Sequence, residues 1–285
     1  MKINSITPDK SKYLKVLAHI AKPPKSLNYV GTLPDTRITS VAIVGTRKPT
    51  RYGQEVTERL AYDLAQHGII IVSGLALGVD AIAHKAALDA RGTTIAVLGT
   101  PLPTISPATN RQLGERIIEN GGAIISEYEQ GARVFASNFL ERNRLVAGLS
   151  DALIITEATS RSGTLNTAAR ALEQGKEIFV VPGNITSPLS AGCNALLKQG
   201  ARVVTEYQDV LDALKPAESQ LQTSLPLGQN ELETAIITLI SDGIRDGEEL
   251  LRTSQAEPTE FATTLTMMEL AGTIKPLGAN QWTLR

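Results

Sequence analysis

From Ser40 onward the chain alternates between short apolar runs and longer mixed stretches. The runs Val41–Val44, Ile69–Val72, Thr94–Leu98, Ala123–Ile125, Ala152–Ile155 and Ile178–Val181 are β-rich and lack polar alternation. Runs of this kind predict strands buried on both faces. The stretches between them carry helical spacing, so the pattern is that of successive βαβ units. It predicts an α/β fold whose parallel sheet has helices on both sides. In open sheets of this class the functional residues gather at the carboxyl ends of the strands.

The flanks are patterned differently. Residues 1–40 read as a leader packed on the core, with a helix over Ser11–Ile20 stopped by Pro23 and Pro24 and a strand at Leu27–Val30 ending at Gly31. The sheet domain is expected over residues 41–215 and a polar linker over 216–227. Residues 228–285 form a separate small unit, with helical patterns at Glu231–Ile240, Glu248–Ser254 and Pro258–Ala271. Two short extended stretches joined at a glycine follow within Thr273–Leu284. Three helices and a hairpin in that order predict a winged helix.

Composition narrows the function classes. With 285 residues, 42% of them hydrophobic and 20% charged, the chain reads as globular, and no run approaches the roughly 18 to 20 apolar residues of a membrane helix. The amino terminus lacks the h-region of a signal peptide, which makes the cytoplasm the default compartment. One cysteine, Cys193, and three scattered histidines, His19, His67 and His84, point to no disulfide framework, no metal site and no cofactor. The net charge of −1 hides an asymmetry: residues 1–40 carry seven basic and two acidic side chains, and residues 216–285 four basic and ten acidic. The acidic tail is a poor DNA-gripping surface. Anion binding in the middle segment must come from local clustering.

The strand ends supply such clusters. The first strand is followed by Gly45-Thr46-Arg47, the second by Ser73-Gly74 and then Gly78-Val79-Asp80, the fifth by Glu157 and then Ser162-Gly163-Thr164, and the sixth by Gly183. Small, glycine-bearing turns into helix starts bring backbone N–H groups close to an anion. For Ser162-Gly163-Thr164 the plain alternative is an ordinary N-cap. Phe139, Arg142, Asn143 and Arg144 open a helix in which arginines suit phosphates and an aromatic suits a base, or else form a solvated face with Phe139 in the core. Arg47 is placed to meet a ligand in the sheet crevice, or to pair with Glu127 or Glu157. Asp80 and His84 share a helix face, as a base and its orienter or as a helix stitch. Cys193 reads as a small buried residue.

These pieces are ordered as in a known family. The segments VAIVGTRKPTRYG (41–53), IVSGLALGVDAIAHKAAL (71–88), FLERNRLVAGLSDALIITEA (139–158), SGTLNTA (162–168), IFVVPGNI (178–185) and GCNALLKQGA (192–201) resemble those of the DNA processing protein A family, also called DprA or Smf. The resemblance runs from about Tyr13 to the C-terminus. It implies a Rossmann-like domain that binds single-stranded DNA, forms a homodimer, and loads a RecA-type recombinase during natural transformation and DNA recombination, without enzymatic activity. The DNA pocket it implies falls on Arg47, Ser73, Gly74, Phe139, Arg142 and Arg144, and the dimer face on the region Ile178–Leu214. The chain departs from the family's pattern at Ser106, where a tyrosine is usual, and at Thr46, where a serine is usual. The leader is too short for the helical module many members carry before the sheet domain.

Two other functions fit parts of the chain. A nucleotide phosphoribohydrolase of similar architecture places a catalytic glutamate where this chain has Thr167, which argues against hydrolysis. A duplex-reading regulator would use the C-terminal unit, whose acidity opposes phosphate binding.

Overall fold

The computed structural model describes residues 2–214, 230–278 and 280–284. The linker expected over 216–227 lies outside the described residues. Two compact units divide at Leu214 and Lys215.

The first unit is built on a sheet of nine strands: β1 (Asn4–Ile6), β2 (Leu27–Gly31), β3 (Ser40–Val44), β4 (Ile70–Ser73), β5 (Thr94–Leu98), β6 (Ala123–Ser126), β7 (Ala152–Ile155), β8 (Glu177–Val180) and β9 (Arg202–Val203). Their order is β1-β2-β6-β5-β4-β3-β7-β8-β9. Strands β3 to β9 are mutually parallel, and β2 joins β6 antiparallel, as does β1 with β2. The six expected strands are thus β3 to β8. The structure adds β1 and β9, three and two residues long, too short to leave a period.

The helices are α1 (Arg51–Gln66), α2 (Val79–Asp89), α3 (Arg111–Glu119), α4 (Ala136–Leu149), α5 (Gly163–Glu173), α6 (Ala191–Lys198) and α7 (Tyr207–Leu214). Strand alternation divides their work. Val41 and Ile43 of β3 pack with Leu60, Leu64 and Ala83 of α1 and α2, while Ala42 and Val44 pack with Leu145 and Leu149 of α4 and Ala168 of α5. Helix α3 closes a third cluster around Leu98, Ile117 and Ile124.

The leader differs from expectation. Instead of a helix over Ser11–Ile20 there are two 3₁₀ segments, Pro8–Lys10 and Leu14–His19. The tighter winding sets Leu14 and Leu17, three apart, on one line, and both are fully buried in the cluster under α4. Tyr13 is buried beside them with its hydroxyl 3.0 Å from Ser40 Oγ, and burial pushes its pKa up to about 12.

The second unit contains α8 (Glu231–Ser241), α9 (Gly247–Ser254), α10 (Pro258–Leu270) and a hairpin of β10 (Ile274–Gly278) and β11 (Gln281–Leu284). Asn230 caps α8 by accepting from Glu233 N, and Asp246 caps α9 by accepting from Glu248 N and Glu249 N. Ile236, Ile240, Leu250, Phe261, Leu265 and Ile274 form its core, with Trp282 packed against them. Among the described residues no helix is long and apolar enough to cross a membrane.

Candidate functional site

Chain order reverses between β3 and β7. Connections from β3 through β6 progress to one side and those from β7 through β9 to the other, so a crevice opens above the carboxyl ends of β3, β4 and β7. A cleft of about 310 Å³ occupies it, bounded by the β3–α1 loop, the β4–α2 turn, one face of α4 and the first turn of α5. It runs on into a groove lined by Leu77, Ser106, Pro107, Phe139 and Leu140.

The cleft brings together Gly45, Arg47, Gly74, Phe139, Arg142, Asn143, Ser162, Gly163 and Thr164. Phe139, Arg142, Asn143 and Val146 are spaced i, i+3, i+4, i+7 along α4 and form its cleft-facing stripe. Arg142 is buried, at 6% exposure, and its Nη1 donates to Val97 O at 2.7 Å while Nε has no partner among the described residues. Burial pulls its pKa down, the neighbouring Asp80 carboxylate opposes that shift, and the like charge of Arg47 adds to it. A guanidinium remains protonated regardless. Asp80 Oδ2 accepts from Gly74 N at 3.1 Å and Ala76 N at 3.4 Å, which spends the carboxylate on the β4–α2 turn. Burial raises its pKa against the pull of Arg142 and those amides.

Gly74 has no room for a side chain, because a Cβ there would land on the Arg142 guanidinium. At Gly45 a Cβ would meet Val79 Cγ2 at 2.6 Å. The chain therefore packs tightly against Val79 and Arg142 at these two turns. At α5, Ser162 Oγ accepts from Thr164 N at 3.1 Å, as an N-cap does, while the first-turn residues line the cleft at the positive end of the helix.

Two expected site residues lie elsewhere. Ser73, the last residue of β4, is fully buried and donates from Oγ to Ile43 O at 2.6 Å, so its hydroxyl stitches two strands. Arg144 stands two positions from Arg142, about 200° around the helix, and pairs with Glu127 at 2.6 Å on the other side of α4. Glu127 is thereby taken, and Glu157 accepts from Thr50 N at 2.8 Å and Thr50 Oγ1 at 2.6 Å. Neither pairs with Arg47, which is exposed and has no ion-pair partner among the described residues. His84 does not join Asp80: Thr94 Oγ1 donates to Ile71 O, so His84 Nδ1–H donates to Thr94 Oγ1 at 2.7 Å. Burial holds the imidazole down at about 3. Cys193 is buried and its pKa is pushed up to about 11.

Cleft residues that sequence reasoning passed over include Val146 and Leu140, and Thr167, weighed there only against a catalytic glutamate, lines the cleft as well. The α4 spacing marks Val146, and the i+4 position from Gly163 marks Thr167. Among the described residues no group of His, Cys, Asp and Glu is arranged to hold a metal ion.

Comparison with known proteins bears on this architecture directly: residues 4–215 match the family described as DNA recombination-mediator protein A. The chain belongs to this family. Among DprA and Smf relatives, protein Smf of Escherichia coli is 43% identical over 192 residues, covering 67% of this chain and 51% of its own length. DNA processing protein DprA of Streptococcus pneumoniae is 42% identical over 195 residues, 68% of each chain. The chain spans about half the length of several of the curated DprA and Smf relatives it matches. The X-ray structure of the pneumococcal DprA superposes with a TM-score of 0.70 at 38% identity, covering 76% of both chains. A DprA structure from Helicobacter pylori, a protein with a single-stranded DNA binding mode, gives 0.66 at 36% identity over 75% of this chain and 96% of that one.

Proposed function

We propose that the chain binds single-stranded DNA in the cleft between β3, β4 and α4 and acts as a non-enzymatic mediator of recombination. The observation that carries this reading is the convergence of exposed Arg47, buried Arg142 and the first turn of α5 on one cleft whose wall holds Phe139. Two cations and a helix start fit phosphate, and an aromatic wall fits an unpaired base, which is how proteins hold single strands. The single-strand binding of the Helicobacter pylori relative supports the same reading.

Loading of a RecA-type recombinase and homodimer formation are part of the proposal, the first from family membership and the second because one small cleft covers few phosphates, so that a joined path raises affinity. We assign the winged-helix form to residues 228–285, on their three helices and hairpin, and give this acidic unit a protein partner instead of duplex DNA. A hydrolytic reading is disfavoured because Thr167 lines the cleft where a carboxylate would be needed and Asp80 is committed to backbone amides.

Fluorescence anisotropy with a labelled oligothymidylate and a matched duplex, titrated with salt, tests the proposal. Salt-dependent preference for the single strand, with affinity weakened in Arg47→Ala and kept when residues 215–285 are deleted, is expected. Equal affinity for duplex, or loss of binding on that deletion, overturns it.

A further inference from the structure

A second cavity, of about 480 Å³, lies on the other side of the β3–α1 loop from the cleft, above the ends of β7 and β8. Tyr52, Pro182, Asn184 and Ser187 line it, with Glu157 and Thr50 as its floor. Its construction says what it accepts. Glu157, 2% exposed, turns an anionic phosphate away although Thr50 satisfies both its oxygens. Tyr52 leaves 48% of its surface open, yet its hydroxyl is tied to Pro182 O at 3.0 Å, so the ring is a fixed plate. The loop opposite is fixed too: Asn194 Nδ2 donates to Gly183 O at 3.1 Å, and Asn184 Oδ1 accepts from Thr186 N at 3.0 Å. Such a lining suits a flat neutral ring better than a phosphate.

The rim is cationic. Arg47 and Lys48 of the loop that separates the two cavities and Arg51, the first residue of α1, are all exposed, and none has an ion-pair partner among the described residues. We propose that the second cavity is a nucleobase subsite on the same DNA track: the strand's backbone leaves the cleft, crosses the side chains of Arg47, Lys48 and Arg51, and stacks its next base on Tyr52. This rests on the cleft being the site of single-strand binding.

Competition binding with oligothymidylates of increasing length separates the two ideas. Tyr52→Ala is expected to weaken binding of strands of roughly ten nucleotides by about 5- to 150-fold, the range one aromatic stack supplies, and to leave a dinucleotide unaffected. Tyr52→Phe, which keeps the ring but frees it from Pro182 O, is expected to retain most of the affinity that Tyr52→Ala loses. Photo-crosslinking of a 5-iododeoxyuridine strand is expected to label Tyr52. Wild-type binding of long strands by Tyr52→Ala, while Arg142→Ala loses affinity, overturns the subsite and leaves the cleft standing. So does an equal loss at every length. Failure of the wild type to bind any oligonucleotide overturns both.

Discussion

Gly74→Ala tests the cleft by a methyl group in place of a charge deletion. Gly74 has no positive φ, so alanine meets no backbone obstacle there, and the whole effect comes from the Cβ landing on the Arg142 guanidinium. Arg142 must then release Val97 O, to which it donates at 2.7 Å. A hydrogen bond from a charged donor contributes about 1.5–3 kcal/mol, so stability should fall by about 2 kcal/mol. For a unit of this size that lowers Tm by roughly 4–8 °C. The guanidinium still lies near the cleft but in the wrong place, so affinity for an oligothymidylate should drop about tenfold or more, the 1.4 kcal/mol scale of one misplaced contact. Because the charge survives, the slope of log affinity against log salt should hold, whereas Arg142→Ala should flatten it. Gly163→Ala is the internal control: its nearest new neighbour is Leu140 Cδ2 at 3.9 Å, and an alanine there should leave Tm unchanged or raise stability by about 0.4–1 kcal/mol. Thermal unfolding and salt-titrated anisotropy read all three variants. Wild-type stability and wild-type affinity in Gly74→Ala would refute the placement of Arg142 against this turn.

Arg47→Ala should lower the salt slope by about 0.7 and weaken all oligothymidylates alike, and a steeper loss for one base would contradict a phosphate contact. Arg144→Ala should keep DNA affinity near the wild-type value while costing roughly 1–3 kcal/mol in urea unfolding, since it strands Glu127; a selective DNA defect would place Arg144 back in the site. His84 is neutral when folded, with a pKa near 3 against 6.5 unfolded, so the stability it supports is full above pH 6.5 and lost as pH falls towards 3. At pH 5 the loss is about 2 kcal/mol, which a His84→Asn variant should not show; equal pH slopes in the two proteins would exclude the mechanism. Cys193, raised to about 11, should resist thiol reagents at pH 8 until the protein unfolds, and rapid labelling of native protein would contradict its burial.

The sheet was legible because a strand buried on both faces must be apolar at every position, and that leaves an unbroken run such as Val41–Val44 or Ala152–Ile155. The leader was less so: Leu14 and Leu17 satisfy a 3₁₀ turn and an α-helix equally well in one dimension, and only the surface they pack against selects between them. The same contrast runs through the site. Helical spacing alone puts Arg142 and Arg144 on opposite sides of α4, so the exclusion of Arg144 was readable from its position two residues on.

By itself the sequence determined the βαβ order, the glycine turns at the strand ends and the stripe of α4 that holds Phe139 and Arg142, because these depend on periods of two to four residues. Tertiary structure alone decided which charges were spoken for. Glu157 meets Thr50 across 107 positions, and Arg37 meets Asp151 across 114. It also decided that Ser73 faces Ile43, and that the leader's β1 and β2 complete the sheet beside β6. Such pairings are settled by which elements the folded sheet brings side by side, and no local spacing encodes them. That is why Arg47, three residues from Thr50 in the chain, is left unpaired at the mouth of the cleft.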